Sequence, residues 1–170
     1  MARIVDLGVT QYTWVPGVAG LTTPSAPLLT DLAAVGAKNI SQYVVTTTDV
    51  NPDPSDTVNE RAITDVSNAV VPTVGNYHGS LVLFRDFAAG IPTVDDPMAM
   101  FDKGAYGWLV RRLGKAATVA LAASDIVDVF LFLVDNVTKT GGQGDGYLKA
   151  NITLLQQGQF YTDVVVASGS

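Results

Sequence analysis

The residues able to do chemistry are few, and the spacing of most of them does not make a site. Asp49-x-Asn51-x-Asp53 followed by Glu60 puts side-chain oxygens where an EF-hand calcium loop beginning at Asp49 would have them. Such a loop turns at its sixth position through a positive φ, which calls for glycine. Pro54 stands there instead, and its ring locks φ at about −65°. The run therefore reads as an Asp/Pro-rich turn. His78 is the single histidine, with no serine elbow of the form G-x-S-x-G to serve, so it reads as a surface or capping residue. With no cysteine, a thiolate metal site and a disulfide are both impossible. Gly141–Gly146 does not complete a dinucleotide-binding G-x-G-x-x-G, because residue 147 is Tyr, and there is no phosphate-binding G-x-x-x-x-G-K.

Arg111-Arg112-Leu113-Gly114-Lys115 is a small basic cluster that could meet phosphate or an acidic patch, with a solvated turn as the default reading. Trp14 and Trp108 could line a ligand site, but core or interface anchors suit them better. Sequons at Asn39, Asn136 and Asn151 carry no meaning without a secretory signal. The sequence thus offers no catalytic, cofactor-binding or metal-binding residue, and an enzyme is not expected.

The elements that would carry these residues are mainly strands. Of the acidic residues, fifteen are Asp and one, Glu60, is Glu; Asp favours turns and caps where Glu favours helices. Gln11–Val15, Ser41–Val50, Thr57–Val66, Gly79–Asp86, Asp125–Asp135, Tyr147–Gln156 and Phe160–Ala167 all carry strand signals. Asn51–Asp56 is expected as the turn joining the second and third, Gly141–Gly146 as a flexible turn, and Gln157-Gly158-Gln159 as the turn of a terminal hairpin. Ala105–Leu113 is expected as strand, because Gly107 would cost a helix about 1 kcal/mol.

Asp96 as N-cap, Pro97 at the first position and Gly104 as a stop predict one flanking helix over 96–104. Pro16–Asn39 is broken by Gly17, Gly20, Pro24 and Pro27. It reads as a long irregular arm holding at most a short helix over Thr30–Val35, and a connection of that length usually reaches a partner. Val127, Val129, Leu131 and Leu133 fall on one face of their strand, with Ile126, Phe130, Phe132 and Val134 on the other. Such a strand needs a closed barrel, a sandwich centre or an oligomer interface. The fold expected is mainly β: a sandwich or barrel-like single domain over 1–170, with 168–170 disordered.

Composition points to assembly. Charged residues are 15% of the 170, against roughly 25% in typical soluble proteins, so part of the surface is expected to be hidden in a partner. The net charge of −6 disfavours adhesion to nucleic acid. With neither a signal-like N-terminus nor an apolar run of about 18 residues, synthesis and folding in a cytoplasm are expected, away from membrane.

Several stretches look familiar together. They are Glu60–Asp65, Val71-Pro72-Thr73-Val74-Gly75-Asn76-Tyr77-His78-Gly79, Leu83–Asp86, Gly107–Lys115 and Ala123–Val129. Over residues 40–135 this pattern resembles the major tail (tail tube) proteins of long, non-contractile-tailed bacteriophages. The resemblance implies a β-sandwich or barrel-like core with a flanking helix, and hexameric rings stacked into a hollow tube through which DNA passes. It also implies other tail proteins as partners, a place in the virion tail after assembly in the host cytoplasm, and an acidic lumen that lets DNA slide. The competing readings are a head decoration or head–tail joining protein, and a monomeric carbohydrate-binding sandwich using Trp14, Trp108 or Tyr147 as its platform.

Overall fold

The computed structural model describes residues 8–58, 71–88, 90–93, 96–141 and 146–169. Its main element is a seven-stranded antiparallel sheet. In spatial order its strands are β2 (Lys38–Asn39), β1 (Gln11–Pro16), β9 (Tyr106–Arg112), β10 (Ile126–Thr140), β11 (Lys149–Val165), β6 (Asn76–Phe84) and β3 (Asp49–Asp53). Two small ribbons stand apart, β4 (Thr57–Val58) with β5 (Val71–Pro72), and β7 (Phe87–Ala88) with β8 (Ile91–Pro92).

The sheet rolls up on itself. Trp14, Leu109, Phe130, Phe132, Val134, Ile152, Leu154, Leu81, Leu83, Tyr77 and Val50 come from all six longer strands and meet in one buried cluster. Residues 38–53 close the roll: β2 pairs with β1 at one edge, and the chain then turns so that Val44 bridges Leu83 and β3 pairs with β6 at the other. The mainly β, barrel-like expectation holds. Gly107 sits where this interior is tightest, since a Cβ there would lie 2.2 Å from the Trp14 ring.

The two-faced character of β10 now has its cause. Phe130, Phe132 and Val134 point into the roll, whereas Val127 and Val129 point the other way, into a second cluster with Val15, Trp108 and Val110. Leu21 and Leu32 cover that second cluster. The irregular segment 16–39 is therefore laid over the chain's own sheet. Its helix α1 (Leu29–Leu32) starts one residue before the expected Thr30–Val35, with Leu28 instead of Thr30 at the N-cap. Ala167 pairs with Leu28, and Gly169 packs on Thr30 tightly enough that a Cβ would lie 2.3 Å away, so the chain is held through Gly169; Ser170 lies outside the described residues.

Several local expectations change. The proposed turn Asn51–Asp56 begins as strand β3, because Val50 is buried while Asp49 and Asn51 face outward. As the edge strand, β3 tolerates Pro52, which has no N–H to give a ladder. Residues 41–48, most of the expected strand Ser41–Val50, form a series of turns closed by Tyr43 N to Ile40 O, Val44 N to Ser41 O and Thr48 N to Val45 O. Of Thr57–Val66 only Thr57–Val58 is among the described residues. The terminal hairpin is instead a single 17-residue strand, β11, in which Gln157–Gln159 form a bulge between the pairs Phe130–Phe160 and Phe132–Gln156. Gly158 takes the positive φ of 67° that the bulge needs.

At 96–104 the expected caps are present: Asp96 accepts from Met98 N at 3.2 Å, and Pro97 follows. The element is only a 3₁₀ turn over Pro97–Met100, because Phe101 is drawn into the core against Trp14, 4.7 Å between ring centroids.

Candidate functional site

The charged side chains that the sequence made conspicuous are used up within the fold. Arg111 and Arg112 sit next to each other on β9, so they point to opposite faces. Arg111 binds Asp128 through Nε and Nη2 at 3.1 and 2.8 Å and reaches across the roll to the carbonyl of Val50 at 2.6 Å. Arg112 is fully buried. It binds Asp125 at 2.9 Å and the carbonyls of Ala116, Val119 and Ala120, which fixes the loop before β10. Lys115 completes the group on Asp125. Burial pushes the Asp125 carboxyl up, but the Lys115 and Arg112 hydrogen bonds outweigh it and hold the pKa at about 2. Arg111 and Arg112 are thus structural, while Leu113, Gly114 and Lys115 stay exposed in the turn after β9.

His78 lies on β6 with its ring between two carboxylates of β3. Nδ1 is 2.8 Å from both Asp53 oxygens, and Nε2 is 3.2 Å from Asp49. Hydrogen bonding to Asp53 raises the His78 pKa, with Asp49 adding to it, against a smaller opposing effect of burial. The two ring nitrogens diverge, so these three groups cannot converge on one ion. Among the described residues no group of three or more His, Cys, Asp or Glu side chains could hold a metal. Asp49, Asn51 and Asp53 share the outward side of a straight strand, which is not a calcium-loop geometry; Glu60 lies outside the described residues. Spacing of i, i+2, i+4 in a strand would have revealed this shared face, but the prolines argued for a turn.

Trp14 is 0% and Trp108 5% exposed, so neither is a ligand platform; Trp108 Nε1 donates to the Val18 carbonyl at 2.8 Å. Tyr147 alone of the three stays open, at 77%. It stacks edge-on against Phe84 beside a groove of about 700 Å³ that Tyr43 and Phe87 also line.

The extended unpaired surface lies on the long hairpin of β10 and β11. β9 pairs with β10 only through Val127–Leu133, and β6 pairs with β11 only through Lys149–Leu154. Among the described residues, Asp135–Thr140 therefore lacks a ladder on the β9 side, and Leu155–Val165 lacks one on the β6 side. These free edges lie at opposite ends and on opposite sides of one hairpin. The sequence signalled both strands but not their stagger, which follows from where the shorter neighbours stop.

The chain also matches a family model: the one for phage tail tube protein covers residues 1–169. The chain belongs to the phage tail tube protein family. Among solved structures, a chain of the anti-feeding prophage baseplate (a cryo-EM structure, 6-fold symmetrised) is similar in fold, with a TM-score of 0.55 at 13% identity over 94% of this chain and 95% of that one. No curated protein matches this tail tube chain. No helix among its described residues is long and apolar enough to cross a membrane.

Proposed function

We propose that this tail tube family member is a non-enzymatic structural subunit that forms hexameric rings, and that the rings stack into the hollow tube of a phage tail. The carrying observation is the staggered pair of strand edges on the β10–β11 hairpin that lack a ladder among the described residues. A strand edge offers unpaired N–H and C=O groups, and another strand satisfies them most completely. Because the two edges sit on opposite sides, a copy can pair its β11 edge with the β10 edge of the next, a head-to-tail contact that closes into a ring when the rotation allows. Six copies agree with the six-fold symmetry stated for the similar baseplate structure.

The tube would belong to the virion and be built in the host cytoplasm alongside other tail proteins. DNA would pass along the lumen without specific contacts, since a net charge of −6 repels phosphate. Negative-stain electron microscopy of the purified chain at low and high concentration tests this. Rings or tubes with a central hole are expected; dispersed monomers at both concentrations would overturn the reading.

A further inference from the structure

The ion trio at the rim of the roll has a property that its geometry forces. A neutral imidazole carries one N–H, so it can donate to one carboxylate only. Here both ring nitrogens face carboxylates within hydrogen-bond distance, 2.8 Å on the Asp53 side and 3.2 Å on the Asp49 side. Only the imidazolium can satisfy both. Removing its proton would leave one nitrogen lone pair aimed at a carboxylate oxygen.

We infer that His78 is a proton-operated latch: its imidazolium clamps the edge strand β3 onto β6, and its deprotonation loosens that strand. Among the described residues, β3 is the sheet's last strand, pairing only with β6 in the ladder. Its other restraints are also polar: Arg111 holds the Val50 carbonyl and Asn51, and Asn76 on β6 binds Asp56 at 3.0 Å. Val50 alone anchors it in the core.

Among the described residues, the charged groups facing the latch are few. Asp49 and Asp53 come from β3. Arg111 approaches from β9 through Asn51, which donates to Asp49 at 2.6 Å, and Asp128 stands behind Arg111. On the β11 side, the ladder to β6 ends at the pair Leu154–Gly79 next to His78, and Gln156 accepts from Tyr77 N; neither residue titrates. Two carboxylates in contact against one nearby guanidinium favour the protonated ring. His78 is 43% exposed at its side chain, so protons exchange freely with solvent.

The sign follows from linkage. A histidine whose folded pKa lies above its unfolded value stabilises fully below the unfolded pKa, near 6.5, and loses that contribution as pH rises through the folded pKa. The latch is closed in mild acid and opens toward alkaline pH.

The chain has one histidine, so its imidazole signals are unambiguous. In protein labelled at His with ¹³C and ¹⁵N, read in solution or by magic-angle spinning if assembled, we expect His78 to titrate above 6.5, with both nitrogens protonated below that midpoint. Amide protection across residues 49–53, corrected for intrinsic exchange, should fall several-fold as pH passes the same midpoint. His78→Gln should remove this step, and Asp49→Asn should lower the His78 midpoint while the histidine remains in place. A His78 midpoint at or below 6.5, or a protection step that persists unchanged in His78→Gln, would overturn the latch. Neither readout depends on whether rings form.

Discussion

At the scale of single residues, several of the chain's charges work inside the fold. Asp125 is the sharpest case: its side chain is 1% exposed and its partners are the buried Arg112 and the exposed Lys115. Removing one partner of a buried pair leaves an uncompensated charge, which typically costs about 3–5 kcal/mol. Asp125→Asn should therefore lower the thermal midpoint strongly, by differential scanning fluorimetry, and the loss should be largest near neutral pH. The folded carboxyl, with its pKa held at about 2, contributes stability above the unfolded value of 3.8 and loses it as pH falls toward 2. The gap between wild type and Asp125→Asn should accordingly shrink on acidification. A gap that stays constant from about pH 7 to about pH 3 would show that the charge of Asp125 does not stabilise the loop. None of this could be seen in the sequence, where Arg112 and Asp125 are thirteen positions apart and look like surface residues.

At the scale of elements, alternation was legible and termination was not. Gly79–Asp86 and Tyr147–Gln156 announced themselves by period-2 alternation and Gln11–Val15 by its aromatic strand formers, and β6, β11 and β1 carry them. Gln157-Gly158-Gln159 resembled a hairpin turn because a positive-φ glycine serves turns and bulges alike. The deciding partner is distant: Tyr77 on β6 accepts from Gln157 N at 2.9 Å, and its hydroxyl proton faces the carbonyls of Leu131 and Gln157. One buried phenol thus pins the bulge across β10 and β11, and burial raises its pKa to about 12, which keeps the proton available. Tyr77→Phe keeps the ring contacts with Phe130, Phe132 and Phe160 but orphans the Gln157 N–H. A loss of about 1–3 kcal/mol is expected in urea unfolding, with an unchanged m-value. A change below about 0.3 kcal/mol would mean that the bulge is held by the ladder alone.

At the scale of the whole molecule, the low charge content is the sequence's argument for assembly, and the contact proposed between copies falls on the β10–β11 hairpin. Exposed Leu155, Ile126 and Val165 lie along the same hairpin, whose edges lack a ladder over 135–140 and 155–165 among the described residues, so an added strand would gain apolar cover as well as ladder bonds. Proteins that must not pair at an edge place lysine there, because its charge resists burial between strands. The half of β10 beyond β9 offers Thr138 and Thr140, both exposed and, among the described residues, paired on one side only, with Asn151 and Lys149. In the variant Thr138→Lys/Thr140→Lys the added charges face solvent in the single copy, so circular dichroism and the thermal midpoint of the monomer should match wild type. If the β10 edge joins one copy to the next, this variant should stay dispersed by electron microscopy and sedimentation at concentrations where wild type assembles. Its rescue by high salt should be partial at most: screening weakens the repulsion between lysines, but each one must still be desolvated at the junction. Tubes indistinguishable from wild type would place the contact between copies elsewhere than the β10 edge.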